Sequence, residues 1–235
     1  EIGSGLVGSE MCIRDSSYSK DNFNTDLEGD GAFICQNSWG DNFGENGFFY
    51  ISYYDTNIGT HNVVYTDIEN TDNYDHIYQS DLCGWVGQLG YNKDSIYGAN
   101  VFTAEGNETL KAASFYATGK DSQYELYVVR QFEDETSLEK MIPVASGKLG
   151  NAGYYTVDFN QGIEVDAGER YAVVLYIITP GSVHPMAIEY AADEATENVD
   201  LDDGESYISA NGSKWVSVDT VEKSNLCIKA FSDNR

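Results

Sequence analysis

The strongest constraint on the fold is a series of short alternating segments between residues 99 and 232, separated by turns rich in glycine and asparagine. Within residues 123–130, for example, Tyr124, Leu126 and Val128 fall on one face of an extended chain. Since successive side chains of a strand point to opposite faces, a period of two predicts strands with one face in a core. Such strands are predicted at 100–103, 108–118, 123–130, 152–159, 170–178, 186–190, 205–209, 214–218 and 225–231. Regular short strands joined by turns indicate an antiparallel two-sheet β-sandwich.

One turn carries a sharper local signal than the others. Asn211-Gly212 stands between two of the predicted strands, and this dipeptide favours a two-residue type I′ hairpin, in which both central residues have positive φ. We therefore predict a tight hairpin at this position.

A different pattern occupies the first part of the chain. Two apolar runs, at 32–36 and 48–54, flank a turn rich in glycine, asparagine and aspartate, which predicts two antiparallel strands with a long connection. A further strand is predicted at 62–67. The first run ends in Asn37-Ser38-Trp39-Gly40, which is the unusual part of the segment.

This block closely resembles the asparagine segment of papain-like (C1 family) cysteine peptidases. In a Cys-His-Asn triad the thiolate attacks the carbonyl, and the asparagine holds the imidazole in one orientation. The resemblance implies that Asn37 orients a catalytic histidine and that Trp39 shields the hydrogen bond between them. Phe43 departs from the family pattern, where a second tryptophan is usual. The alternative for Asn37 is an ordinary turn residue.

The triad is incomplete in this chain. No histidine precedes Asn37, and the cysteines before it, Cys12 and Cys35, lack the glycine-rich context of the family's nucleophile. The resemblance therefore implies the C-terminal part of a peptidase domain, forming partial β-barrel strands, without its Cys nucleophile and His. We expect this chain to be inactive in proteolysis by itself.

Residues 74–232 resemble the lectin-like domain that is appended to some bacterial cell-surface papain-like peptidases, which implies a jelly-roll-type sandwich. The lectin-like name does not prove sugar binding, because a fold does not fix a function. Tyr207 and Trp215, on the two arms around Asn211-Gly212, are the candidate ligand-binding residues, since an exposed aromatic face suits the apolar side of a sugar ring. The alternative is that both rings pack in the core or across strands.

The charge of the chain limits its partners. A net charge of −26, from 39 acidic and 13 basic residues, makes nucleic acid and anionic membrane surfaces poor partners. No apolar run is long enough for a membrane-spanning helix. The cysteines lack zinc-site spacing, His76 stands alone, and the acidic run at 193–205 lacks the calcium-loop pattern. We therefore predict neither a metal nor a cofactor.

These patterns predict four regions: an unstructured, non-native tail at 1–17, the peptidase part at 18–68, a connector at 69–98 and the lectin-like sandwich at 99–235. We expect the C-terminal portion of a secreted or cell-surface bacterial cysteine peptidase, acting on protein or peptide substrates when whole. Carbohydrate or another cell-surface component is the expected partner of the sandwich. A non-enzymatic glycan- or surface-binding adhesion module and a natural pseudo-peptidase are the alternatives.

Overall fold

The structure, a computed structural model, describes residues 15–16, 18–23, 26–36, 40–56, 69–194, 196–202 and 204–235. The chain forms two compact units, at residues 1–66 and 67–235. Asn37, Trp39 and the strand predicted at 62–67 lie outside the described residues. Among the residues that are described, no helix has the length and apolar composition needed to cross a membrane.

The first unit contains an open antiparallel sheet of three described strands. These are β1 (Asp15–Ser16), β2 (Ala32–Gln36) and β3 (Phe48–Ser52), in the order β1-β2-β3. Strand β2 has the predicted bounds, whereas β3 ends two residues earlier than predicted. Strand β1 falls at the end of the segment predicted to be an unstructured tail, and a short 3-10 helix, Lys20–Asn22, lies between β1 and β2. The three described strands do not close into a barrel.

The second unit consists almost entirely of strands. In chain order they are β4 (His76–Tyr78), β5 (Gly87–Leu89), β6 (Ser95–Thr103), β7 (Glu108–Ala117), β8 (Ser122–Val129), β9 (Ile142–Leu149), β10 (Gly153–Val165), β11 (Arg170–Ile178), β12 (Met186–Glu189), β13 (Ser206–Ser209), β14 (Val216–Ser217), β15 (Asn225–Leu226) and β16 (Ile228–Asn234). Two short 3-10 helices, Glu135–Glu139 and Val218–Thr220, complete the described elements.

These strands form three antiparallel sheets. A six-stranded sheet has the order β14-β13-β6-β11-β8-β9, a four-stranded sheet the order β10-β7-β16-β4, and a small sheet the order β15-β12-β5. The prediction of a mainly-β chain with a jelly-roll-type antiparallel sandwich is confirmed. Strands β4 and β5, which lie within the predicted connector at 69–98, pair with β16 and β12.

The core lies between the two larger sheets. The inward residues of β8 and β11, such as Leu126 and Leu175, are almost completely buried against Leu110, Phe115 and Ile228 of the four-stranded sheet. These residues alternate along their strands, as the period of two predicts. Burying large apolar side chains contributes about 1.5–3 kcal/mol each, which makes this interface the main source of stability.

Strand β9 is the longest described strand that the sequence did not predict. It contains Pro143 and Gly147, both of which weaken a strand pattern, and it pairs with β8 through a register shift. Strand β9 is the edge strand of the six-stranded sheet, so no further strand of that sheet lies on its outer side. Proline, which has no amide hydrogen to donate, is tolerated on such an edge strand.

The predicted type I′ hairpin at Asn211-Gly212 is wrong. Strands β13 and β14 do pair, with Tyr207 opposite Ser217, but residues 210–215 connect them. Gly212 has a φ of 76°, whereas Asn211 is not among the residues with positive φ. The side chain of Asn211 instead accepts hydrogen bonds from the amides of Ser213 and Lys214, which builds a longer turn.

Asn100 connects the two sides of the sandwich. It lies on β6 with its side chain 1% exposed, and its Nδ2 donates to the carbonyls of Leu226 (2.9 Å) and Ile228 (2.8 Å). Its Oδ1 accepts a hydrogen bond of 2.7 Å from Ser206 on β13. Between Leu226 and Ile228 the chain passes from the small sheet to the four-stranded sheet. Asn100 therefore donates hydrogen bonds to two buried carbonyls that belong to different sheets, which no single row of backbone hydrogen bonds could pair.

We expect Asn100→Ala to destabilise the second unit by about 3 kcal/mol or more, since it removes three hydrogen bonds and leaves buried carbonyls without a donor. Urea unfolding of the whole chain measures this change. Asn160→Ala is the matched control, because Asn160 is exposed on β10 and is expected to change stability by less than about 0.5 kcal/mol. Equal effects of the two substitutions would contradict the role assigned to Asn100.

Candidate ligand-binding face

The outer face of the six-stranded sheet carries a second apolar cluster, separate from the core between the sheets. Val101, Val129 and Ala172 are buried there beneath Phe132 and Leu138, which belong to the segment following β8. Phe132 is 3% exposed and Leu138 is fully buried. This segment therefore closes one half of the outer face.

Three contacts hold that covering segment in place. Arg130 forms a two-point ion pair with Glu169, with Nε–Oε1 at 2.9 Å and Nη2–Oε2 at 2.6 Å. Asp134 caps the 3-10 helix Glu135–Glu139 in a reciprocal capping box. The guanidinium of Arg170 lies 4.9 Å from the ring centre of Phe132. A bidentate pair and a capped helix fix the position of Phe132 over the sheet.

The other half of the outer face presents aromatic rings. Tyr97 and Tyr176, directly opposite each other on β6 and β11, stack with ring centres 4.2 Å apart and planes 22° apart. Trp215 meets Tyr97 edge-on at 6.2 Å, and Tyr127 on β8 donates a hydrogen bond to the carboxylate of Glu125. All four rings are half-buried, so part of each reaches solvent.

The predicted site residues Tyr207 and Trp215 lie on this face, but each is packed against a different ring. Tyr207 packs on Phe132 at 5.7 Å and donates a hydrogen bond of 2.9 Å to Glu205. Burial, together with this bond, raises the pKa of Tyr207 to about 12. Trp215 packs on Tyr97, and its Nε1 is buried without a hydrogen-bond partner in the described structure. The two rings therefore do not form one shared platform.

A shallow depression of about 270 Å³ adjoins the Tyr97–Tyr176 stack. Its walls include Tyr176, Gln123, Glu125, Ser146 and Lys148, and the last four are exposed. One face of Tyr176 is stacked on Tyr97, so its other face is the one available to the depression. Sequence reasoning missed Tyr97 and Tyr176 as site residues. The signal was present, because the alternation that places Tyr124 and Leu175 inward places Glu125 and Tyr176 outward.

Glu108 is a fully buried carboxylate with structural partners. Its two oxygens accept hydrogen bonds from Tyr78 at 2.7 and 2.8 Å, from Ser232 at 2.6 Å and from the amide of Gly106 at 2.8 Å. Burial by itself raises the pKa of Glu108, but these hydrogen bonds outweigh it and hold the pKa below its ordinary value. The carboxylate thus joins β4, β7 and β16.

His76 belongs to the same network. Its Nε2 lies 2.9 Å from Oδ1 of Asn234, and its Nδ1 lies 3.4 Å from the carboxylate of Glu105. The hydrogen bond with Asn234 is the main cause that raises the pKa of His76, and nearby carboxylates add to it. Within the described ranges, no three His, Cys, Asp or Glu side chains are arranged to hold a metal ion.

The described cysteines do not resemble an activated nucleophile. Cys35 and Cys227 are buried and Cys83 is exposed, and all three are free thiols. Burial raises the pKa of each thiol, most strongly that of Cys227. A catalytic cysteine requires the opposite shift, because the thiolate is the reactive form.

Comparison with known proteins identifies the fold. Residues 77–232 match the family described as "Lectin like domain", which is more than half of the chain. The chain belongs to the lectin-like domain family. A comparison with curated proteins gave no significant match.

Two solved structures share this lectin-like fold. One, of the Clostridial cysteine protease Cwp84 after propeptide cleavage, is 26% identical with a TM-score of 0.73, covering 94% of this chain and 56% of that chain. The other contains the cysteine protease and lectin-like domains of Cwp84, a surface layer associated protein of Clostridium difficile. It is 24% identical with a TM-score of 0.70, covering 94% of this chain and 50% of that chain.

The chain therefore spans about half the length of the proteins that it matches. The matches confirm the predicted resemblance to the C-terminal, lectin-like part of a cysteine peptidase.

The lectin-like domain also buries a carboxylate next to a lysine. Asp81 is fully buried, and its Oδ2 lies 3.5 Å from Nζ of Lys229. Burial raises the pKa of Asp81 to about 6, and the attraction of Lys229 offsets only part of that shift. Lys229 has a second partner, since it donates a hydrogen bond of 2.6 Å to Gln79.

This raised pKa gives a pH-dependent prediction for the lectin-like domain. Unfolded, Asp81 has an ordinary pKa near 4. Between pH 4 and 6 the folded chain therefore holds more protons at Asp81, and its contribution to stability falls as pH rises through that window. Asp81→Asn lacks this titration. We expect its free energy of unfolding, relative to wild type, to rise by about 2 kcal/mol between pH 4 and pH 7.

Urea unfolding at several pH values measures this difference. Asp72→Asn is the control, because Asp72 is exposed in the same part of the chain and its substitution is expected to change the free energy of unfolding by less than about 0.5 kcal/mol. If the difference in free energy of unfolding between Asp81→Asn and wild type did not change with pH, the pKa of Asp81 would not be raised by burial in the folded chain.

Proposed function

We propose that this chain is the lectin-like accessory region of a secreted or cell-surface cysteine peptidase, and that its sandwich binds neutral carbohydrate at the outer face of the six-stranded sheet. The observation that carries the proposal is the Tyr97–Tyr176 stack beside the exposed Gln123 and Glu125. Membership of the lectin-like family supports it.

The chemistry of this face suits a sugar. A pyranose ring has an apolar face of C–H groups and a rim of hydroxyls, so it requires an aromatic surface next to hydrogen-bonding side chains. Tyr176 supplies the surface, while Glu125 and Gln123 supply an acceptor and an amide. Stacking on Tyr97 holds the Tyr176 ring in place before a ligand arrives, which lowers the entropic cost of binding.

The charge of the chain selects among glycans. With a net charge of −26, the chain repels anionic polymers at a distance, so neutral or amine-bearing glycans are favoured.

Trp215 and Tyr207 lie on the same face as the Tyr97–Tyr176 stack. We propose that Trp215 supports this stack through its contact with Tyr97, and that Tyr207 supports the covering segment through its contact with Phe132.

A glycan array probed with the whole chain tests this function. We expect binding to neutral glycans and little binding to acidic ones, together with a loss of about tenfold or more in affinity for Tyr176→Ala. Tyr176→Phe is the matched control, because it retains the ring and removes only the hydroxyl, and its affinity is expected to stay within about twofold of wild type. Absence of binding to any glycan at millimolar concentration would overturn the proposal.

For the first unit, we propose that residues 18–68 belong to a papain-like peptidase domain of a longer protein acting on protein or peptide substrates. The Asn37-Ser38-Trp39-Gly40 block and the resemblance to a cysteine protease support this assignment. In it, Asn37 orients the catalytic imidazole and Trp39 shields their hydrogen bond from water. The surface-layer association of Cwp84 supports a cell-surface location.

The role of Asn37 is tested in the longer protein that contains the cysteine and histidine. We expect Asn37→Ala to lower kcat by about 100-fold with little change in KM, since it disturbs general base catalysis without removing substrate contacts. Asn22→Ala, in the same unit, is the control and is expected to leave kcat unchanged. Equal kcat for wild type and Asn37→Ala would exclude the triad assignment. This chain by itself is expected to show no hydrolysis of a peptide substrate.

A further inference from the structure

The depression beside Tyr176 continues into a second one of about 280 Å³. Gln123 and Lys148 line both depressions, so the two form a single groove along β8 and β9. The second depression reaches Asp121, Gly150 and Pro180 at the far end. A groove of this length exceeds the needs of one sugar ring.

The lining of the groove is periodic. Strand register places its residues in two levels, and continuing the register by two residues gives a third, so that each level has one residue from the β11, β8 and β9 sides of the groove. The levels are Tyr176, Glu125 and Ser146; Ile178, Gln123 and Lys148; and Pro180, Asp121 and Gly150. At the third level, the amide of Asp121 donates to the carbonyl of Gly150 at 3.4 Å, which continues the pairing beyond the strands.

Each level has the same chemical order. The β11 side is apolar at every level, through Tyr176, Ile178 and Pro180, whereas β8 presents a carboxylate or an amide. Successive levels are two residues apart, which is about 6.8 Å along an antiparallel strand, so three levels extend about 14 Å. That length accommodates a few linked pyranose rings.

Polar groups at the middle level and at the neighbouring Ser146 are available to a ligand. In the part of the chain that the structure describes, the side chains of Gln123, Ser146 and Lys148 make no hydrogen bond or ion pair. All three are exposed, and Gln123 and Lys148 lie opposite each other in register. They offer donors and an acceptor at the point where the two depressions join.

We propose that this groove binds a linear neutral oligosaccharide lengthwise, parallel to β8, with one ring on Tyr176 and further rings beside Ile178 and Pro180. The inference rests on the proposed carbohydrate-binding function and specifies its ligand as an internal stretch of a chain rather than a terminal sugar. Gln123 and Lys148 hydrogen-bond the second ring.

Calorimetric titration of the whole chain with β-1,4-linked oligomers of N-acetylglucosamine and of glucose, from one to six rings, tests the groove. In at least one series, affinity is expected to rise about tenfold or more from one ring to four and then to level off, once the three levels are filled. Gln123→Ala and Lys148→Ala are each expected to lower four-ring affinity about five- to tenfold, the effect of one or two net hydrogen bonds. Their effect on one-ring affinity is expected to stay within about twofold.

Gln161→Ala is the matched control, because Gln161 is equally exposed but lies on β10 of the other large sheet, and its affinities are expected to equal those of wild type. Affinity independent of length but lost in Tyr176→Ala would overturn the groove and leave the carbohydrate-binding function intact. Four-ring affinity unchanged by Gln123→Ala and Lys148→Ala would also overturn it. Absence of binding to either series, together with no binding on the glycan array, would overturn both proposals.

Discussion

The lectin-like unit depends on a buried crossing of its chain between two sheets. Strand β15 ends at Leu226 in the small sheet and β16 starts at Ile228 in the four-stranded sheet, with Cys227 buried between them. Backbone carbonyls at such a step need donors that a regular ladder does not supply, and leaving them unpaired in a core is costly. The side-chain amide of Asn100, on the six-stranded sheet, donates to the carbonyls of both Leu226 and Ile228. The apolar faces can therefore pack together without leaving these buried carbonyls unpaired.

The packing of the core determines which side chains stay accessible to a ligand. Once the inward faces of both sheets are filled, outward side chains are the ones that a ligand can reach. On the six-stranded sheet, the segment after β8 places Phe132 and Leu138 over one half of the outer face, held by the Arg130–Glu169 pair. The Tyr97–Tyr176 stack and the β8–β9 groove occupy the half that this segment leaves open. The proposed binding surface is therefore a consequence of where one covering segment stops.

The buried polar residues of the unit serve the fold. Glu108 gathers hydrogen bonds from three elements, and Asp81 lies against Lys229, in each case within the interior. An acid used in catalysis needs access to a substrate, and neither carboxylate has it, since both are fully buried. Both carboxylates therefore act within the fold, and the proposed binding surface is formed by other residues on the outer face of the six-stranded sheet.

Much of the sandwich could be predicted from the sequence, because the period of two in strands such as β8 and the apolar run of β11 between turn residues are typical of strands with a buried face. The same alternation also determined that Glu125 and Tyr176 face outward. In the first unit, the papain-like assignment that we propose comes from the residue pattern of the Asn37 block. Strand β9 was not predicted, because Pro143 and Gly147 interrupt its strand pattern. Its strand conformation comes from pairing with β8 rather than from local propensity. Only the tertiary structure decided which outward rings are free: Tyr207 is packed by Phe132, whereas Tyr176 borders an open groove. That choice depends on contacts between segments far apart in the chain, and local sequence patterns do not encode such contacts.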